Sequence, residues 1–462
     1  MKIISWFRFQ LKRSFDRIRN ENLKKNALQA IPFWIASIIT GGVAVLYTKL
    51  FVVAENCTSF VFNNHAWALF IVSPICFVLS WWLVHRFAPY SRGSGIPQVM
   101  AAIQLSNPKT NQKVVDKLVG LRVIFIKVLS SLVMALGGGA IGREGPTIQI
   151  AASIYKIVYQ LLPKWWPKIA KKNMLVTGAA AGLAAAFNTP LGGIVFAIEE
   201  LTKTHFSYYK TAIFSSVIIA GLSAQALLGP YLYLGYPKLD GLSASIFFGV
   251  ALVAVISGLS GSGMSKLILF IFAWKAKFKI TWYHVLFVAG CSLIMVLLAY
   301  FVSRDVLGSG KEIMQQTLFT ANKYVHWYTP LLRIGGPLLS FTTGGAGGIF
   351  APALGAGASI GSLMAGWFKT SDVDTNMLVL AGMVGFLTGV TRSPFTSVIL
   401  VLEMTNRHNV IFHLILAGML ASLASVLIDK HSLYDHLKMQ YIRDLNTEKE
   451  TELTEQVENI EH

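Results

Sequence analysis

A dozen apolar stretches, near residues 31–53, 66–86, 120–139, 147–162, 174–201, 211–228, 245–273, 283–302, 330–343, 352–367, 376–404 and 410–428, fill most of this chain. Several approach the roughly 20 residues that a helix needs to cross the hydrocarbon core of a bilayer. With 54% hydrophobic and 13% charged residues and a mean hydropathy of +0.56, a chain of 462 residues is too apolar to be soluble and reads as an all-α integral membrane protein. Other stretches are too short to span or are broken by glycine and proline. Backbone leaves the helix at membrane depth only where protein or a watery cavity satisfies its polar groups, so these interruptions are where a site is to be sought.

The formal charge of +18 would point to nucleic acid in a soluble protein. In a membrane chain the positive-inside rule accounts for it. Lys2, Arg8, Lys12, Arg13, Arg17, Arg19, Lys24 and Lys25 precede the first span, which places the N-terminus in the cytoplasm beside anionic headgroups. Ile4, Phe7, Leu11, Phe15 and Ile18 recur at helical spacing, so residues 1–29 read as a basic amphipathic helix on the inner membrane surface. The apolar run begins only near Ile31, unlike a cleaved signal peptide. The basic segments "KWWPKIAKK" at 164–172 and "KAKFK" at 275–279 set Trp or Phe beside Lys, as interfacial anchors do. Cys57, Cys76 and Cys291 are scattered thiols that suggest neither a disulfide framework nor a metal site. Residues 442–462 are acidic and poor in apolar side chains, the composition of a mobile tail with no globular domain behind it.

Glycine divides what lies between into two halves, 30–240 and 241–441, joined by a polar, proline-bearing link near 229–244. Interrupted hydrophobic segments in two halves point to a transporter built from inverted repeats with its site near the midplane. Three strings share one design, a flexible turn, then proline or a small residue, then an apolar helical run: "GSGIPQVMAAIQL", "GREGPTIQIAASIYKIV" and "GGIFAPALGAGASIG". Glycine before and proline within the first turn are helix-start signals. Free N–H groups at three such starts would point at a shared spot and bind an anion through partial charges. A lysine or arginine there would hold the ion tightly, whereas partial charges allow release.

Those strings, "GSGIP" at Gly93–Pro97, "GREGP" at Gly142–Pro146 and "GGIFAP" at Gly347–Pro352, resemble the signatures of the CLC family of chloride channels and chloride/proton antiporters. The resemblance runs from about residue 30 to 440 and includes "AAGLAAAFNTPLGGIVFAIEEL" at Ala180–Leu201 and "VILVLEMT" at Val398–Thr405. It implies a homodimer whose subunits each carry an ion pathway, built from tilted and partly re-entrant helices in two inverted halves. It also implies a prokaryotic, inner-membrane member without cytoplasmic regulatory domains, with lipids around it and no metal or organic cofactor.

Residue by residue, the resemblance makes Glu144 the external gating glutamate, with Arg143 adding positive potential. A carboxylate at a helix N-terminus can occupy an anion site itself, and protonation removes the charge that holds it there. The plainer alternative is a helix cap or a pair with Arg143. Ser94 would give a hydroxyl to the anion and set chloride over nitrate, or serve as an N-cap. Ile349 and Phe350 would contribute backbone amides, with Gly93, Gly95, Gly145 and Gly348 letting the helix starts come close. Tyr434 in "KHSLYDHL" resembles the tyrosine that closes the inner side, its alternative being an ordinary interfacial tyrosine. Glu200 matches the internal proton-transfer glutamate of antiporting members, while Glu199 reads as structural. Lys127, Arg333, Arg392 and Glu403 lie in apolar runs and are assigned to buried pairing or interfaces. The expected activity is electrogenic chloride/proton antiport, not an enzyme. A passive voltage- or pH-gated chloride channel is the alternative, and an intramembrane serine hydrolase using Ser94 and His413 a remote one.

Overall fold

The apolar runs fold into helices whose ends are set by glycine, proline and left-handed residues. The computed structural model describes residues 21–106, 112–202, 210–229 and 232–461. The anchor positions Ile4 to Ile18 lie outside them. In chain order the helices are α1 (Glu21–His65), α2 (Leu69–Phe87), α3 (Ile96–Leu105), α4 (Gln112–Leu118), α5 (Leu121–Leu136), α6 (Glu144–Leu161), α7 (Lys171–Phe187), α8 (Pro190–Phe196), α9 (Lys210–Leu228) and α10 (Ile246–Lys275). After them come α11 (Thr281–Phe301), α12 (Lys311–Phe319), α13 (Thr329–Thr342), α14 (Phe350–Phe368), α15 (Asp372–Thr391), α16 (Pro394–Thr405), α17 (Ile411–Val426) and α18 (Leu433–Glu461). Among the described residues there is no strand, only two isolated bridges. Seven spans among these residues are long and apolar enough to cross a membrane.

Two runs that read as continuous in sequence are each cut in two. The stretch 174–201 breaks between α7 and α8, where Asn188 caps α7 in the left-handed region (φ 57°) and Pro190 opens α8. The stretch 376–404 breaks in the same way between α15 and α16, with Arg392 left-handed (φ 61°) and Pro394 opening the next helix. The equivalence continues past the break, because each short helix carries a glutamate at the same spacing from its proline. Glu199 accepts hydrogen bonds from the N–H groups of Phe395 (3.1 Å) and Thr396 (2.6 Å) and from the Thr396 hydroxyl (2.7 Å). Glu403 returns the favour to the other half, accepting from the N–H groups of Leu191 (3.0 Å) and Gly192 (2.7 Å). Each carboxylate thus caps the opposite half's helix, where orphan N–H groups and the positive dipole end meet a negative charge.

The largest core cluster gathers α3, α6, α7, α10, α14, α15 and α17. α15 has every residue from Asp374 to Thr391 buried, so it is an inner helix despite its span length. It meets α14 backbone to backbone: a Cβ on Gly357 would collide with the Gly382 carbonyl, and a Cβ on Met383's neighbour Gly382 would strike the Gly357 carbonyl in turn. The outer faces are apolar, with Leu46, Phe60, Ile75, Phe248, Phe270 and Leu423 exposed, as a surface against lipid requires.

Three sequence expectations are corrected here. The helix α18 runs from Leu433 to Glu461 across the boundary placed at 441/442. Its residues to Glu448 are docked, because the acids meet cations: Asp444 pairs with Arg92 at 2.8 Å, Glu448 with Lys117 at 2.9 Å, and Leu445 is buried between them. Lys275 is not an interfacial anchor but is buried at the end of α10, donating to the carbonyls of Thr342 and Thr343. Trp166 is likewise inside, its indole N–H donating to the Leu28 carbonyl at 2.7 Å.

Candidate functional site

The three glycine strings are knitted together by their own backbones. Gly93 N–H donates to the Gly345 carbonyl (2.8 Å) and its carbonyl accepts from Gly347 N–H (3.0 Å). Gly142 and Gly348 exchange both bonds, at 2.8 and 2.7 Å. Glycine is required by this closeness: a Cβ on Gly145 would strike the Ser94 hydroxyl, and one on Gly348 would lie 2.9 Å from the Gly142 carbonyl and 3.0 Å from Gly145 N. Gly93 and Gly95 supply φ of 62° and 100°, where other residues are strained. One buried cation ties directly into the frame, and a second holds the link before α12. Lys127 is fully buried and donates to the carbonyls of Ser91 (2.8 Å) and Gly93 (2.7 Å), while Arg333 donates to those of Asp305 (2.7 Å), Leu307 (2.9 Å) and Gly308 (3.3 Å). Arg392 is bound to the Ser262 hydroxyl and to the carbonyls of Ser425 and Asp429.

This frame brings the N-termini of α3, α6 and α14 to one place. Glu144 is the first residue of α6 and is buried; its Oε1 accepts from the Tyr233 hydroxyl at 3.2 Å. Its Oε2 has no hydrogen-bond partner among the described residues and rests against Gly142. Arg143 is buried beside it, its guanidinium 6.0 Å from the Tyr233 ring centre. Ser94 does not cap α3. That role falls to Gly95, and the Ser94 hydroxyl is buried without a hydrogen bond of normal geometry among the described residues. It lies near the Tyr434 hydroxyl, which is also buried and makes no hydrogen bond of normal geometry among the described residues. Ile349 caps α14 and Phe350 opens it, both fully buried. Tyr434 is not an interfacial tyrosine: its ring stacks on Phe350, 6.1 Å between centres at 14°. It is delivered there by the start of α18, where the Ser432 hydroxyl accepts from Asp435 N–H at 2.9 Å. A cavity of about 150 Å³ lined by Arg92, Lys275, His284 and Tyr441 reaches Gly93.

Glu200 stands apart from the three strings, in a π-helical turn, Ala197–Thr202, that continues α8. Such turns are rare and often sit at functional sites. Its buried carboxylate accepts a hydrogen bond from the Ser393 hydroxyl, at the break between α15 and α16. His413 stacks on Phe247, 4.2 Å between ring centres, and makes no bond to Ser94, so the serine–histidine dyad does not form.

Two contacts escaped the sequence reading. Tyr233 sits in the link between α9 and α10, where nothing in its spacing marks it. Ser393 carried a readable signal, since "RSP" repeats the helix break of "NTP" at 188–190.

Fold and site together define a CLC-type polytopic membrane protein, with two inverted halves of partly re-entrant helices meeting at shared helix N-termini. Among solved structures, the chain aligns with a slow cyanobacterial Cl−/H+ antiporter at a TM-score of 0.78 and 22% identity, covering 91% of this chain and 99% of that one. A CLC-type fluoride/proton antiporter aligns at a TM-score of 0.73 and 20% identity, covering 90% and 98%. Among curated relatives, the H(+)/Cl(−) exchange transporter ClcA of Vibrio cholerae serotype O1 is 29% identical over 386 residues, 80% of this chain and 79% of the relative. The ClcA of Citrobacter koseri is 28% identical over 450 residues, 90% and 91%. The family model for voltage gated chloride channels matches residues 75–426, and the chain belongs to that family.

Proposed function

We propose that the protein is an electrogenic chloride/proton antiporter of the inner membrane, working as a homodimer with both termini in the cytoplasm. The observation that carries the reading is the pair of buried hydroxyls, Ser94 Oγ and Tyr434 Oη, that stand near one another beside three helix N-termini and make no hydrogen bond of normal geometry among the described residues. An unsatisfied buried donor costs about 1–3 kcal/mol. A chloride that accepts from both removes that cost, and the backbone N–H groups of Ile349 and Phe350 add partial positive charge without a full cation. Binding stays weak enough for release. Arg92 and Lys275, lining the cavity that reaches Gly93, give the anion a basic approach.

Glu144 is the gate. Its ionised carboxylate competes with chloride for the N-terminus of α6, and a proton releases it, so the same group admits the anion and carries the proton. Glu200 is the second proton carrier, on the cytoplasmic branch, with Ser393 orienting its carboxylate. The two branches meet at Tyr434. The names of the curated relatives support exchange over passive conduction.

The test is paired recording of chloride and pH in proteoliposomes. A chloride gradient should drive protons uphill through the wild type, and Glu200→Gln should stop the protons while chloride still flows. A wild type that never moves protons against their gradient makes the protein a passive channel.

A further inference from the structure

The ring that serves Glu144 also serves two cations. The Tyr233 hydroxyl donates to Glu144 Oε1 at 3.2 Å, and the same ring lies 4.8 Å from Lys311 Nζ and 6.0 Å from the Arg143 guanidinium. Lys311 is half-buried at the first position of α12. The loop that carries it is held from three sides. Glu55 on α1 accepts from Ser309 N–H at 3.0 Å, the Gly138 carbonyl accepts from Gly308 N–H at 3.2 Å, and Arg333 on α13 binds the carbonyls of Leu307 and Gly308. Gly310 makes the turn at φ 88°, where a Cβ would run into the Arg333 guanidinium. Lysine is ordinarily a mobile surface charge; here its base is fixed and its head is drawn to a ring face.

We propose that Lys311 is a positioning residue of the gate: seated over Tyr233, its charge favours the ionised Glu144 carboxylate and so sets the pH at which the gate releases. The proposal rests on the reading of Glu144 as the gate. Among the described residues, the charged and titratable groups around it are as follows. α1 contributes Glu55, tied to Ser309, and Tyr47, bonded to Ser131. α6 contributes Arg143 and Glu144 themselves, α13 contributes Arg333, and α18 contributes Tyr434. Glu312 follows Lys311 and pairs with Arg304, and Asp305 accepts from Thr329 at 3.4 Å. α14, packed along α12, has no ionisable residue from Phe350 to Phe368, and α15 brings only Asp372 and Asp374 at its start, the latter bonded to Ser243 N–H. Among the described residues, Arg143 and Lys311 are the cations at the Tyr233 ring that bonds Glu144, and Glu55 is a carboxylate near them.

The sign follows from the charge. Removing a cation makes the carboxylate easier to protonate, so proton-dependent chloride flux persists to higher pH. Lys311 acts from beyond direct contact, so the shift should be roughly half to one pH unit, below the range for adjacent opposite charges. The experiment is the external-pH profile of chloride flux in proteoliposomes of the full chain. Lys311→Met should move the midpoint upward by that amount, Lys311→Arg should restore it, and Tyr233→Phe should move it the same way by removing the bond to Oε1. If Lys311→Met does not reconstitute, Lys311→Gln is read in its place. An unmoved midpoint overturns the proposal. Glu144→Gln separates the two readings: a flat profile there with an unmoved Lys311→Met midpoint overturns only the role of Lys311, whereas a pH profile that persists in Glu144→Gln overturns the gate and this proposal with it.

Discussion

Exchanging Glu403 for glutamine tests whether the two halves are clamped by their reciprocal caps. In the native protein the carboxylate accepts from Leu191 N–H at 3.0 Å and Gly192 N–H at 2.7 Å. Glutamine keeps one carbonyl oxygen for one of these donors and turns an NH2 group toward the other. One charge-assisted bond is lost, about 1.5–3 kcal/mol, and the dipole end of α8 loses its counter-charge, about 0.3–1 kcal/mol. The sum is a destabilisation of roughly 2–4 kcal/mol, a large share of the net stability of most folds. Glu199→Gln should cost at least as much, because Glu199 holds three donors on α16. Because the two caps join the same pair of helices, the double variant should depart from additivity. The assay is unfolding in mixed detergent and SDS, followed by loss of helical signal. Single variants within about 0.5 kcal/mol of wild type, the scatter of ordinary surface changes, would refute the clamp. Because Glu199 touches helix ends and not the anion site, Glu199→Gln should keep chloride/proton coupling while it loses stability.

Two further changes probe the anion site. Gly145→Ala should abolish transport, since its methyl would enter the space of the Ser94 hydroxyl and crowd Gly348 Cα at 3.3 Å; chloride flux at wild-type rate would show that the strings can part. Ser94→Pro removes one of the two hydroxyl donors, a loss of about 1.5 kcal/mol that should shift the nitrate-to-chloride flux ratio roughly tenfold toward nitrate. An unchanged ratio would detach Ser94 from selectivity.

Much of this was legible in the sequence because membrane backbone obeys so few options. A glycine turn followed by proline and an apolar run signals a helix start, and three such starts at Gly93, Gly142 and Gly347 would point at one spot. The family resemblance then supplied roles that spacing could not. What hydropathy hid were the breaks at Asn188 and Arg392, since a two-residue interruption barely alters the mean of a thirty-residue window, although the prolines that follow them do mark a boundary. Tyr233 and Lys311 were illegible for a different reason. They lie about 80 residues apart, Tyr233 in a link and Lys311 at a helix start, and only the tertiary fold brings the ring and its cation to Glu144. Acidity misled at Asp444 and Glu448, where charges that suggested a solvated tail are instead the partners of Arg92 and Lys117.

The central claim is that one carboxylate both blocks the anion and carries the proton. It is tested most directly by recording chloride and proton movement together in proteoliposomes of Glu144→Gln. The account predicts chloride flux that no longer depends on pH and no proton movement against a gradient. Uphill proton transport in that variant would contradict it.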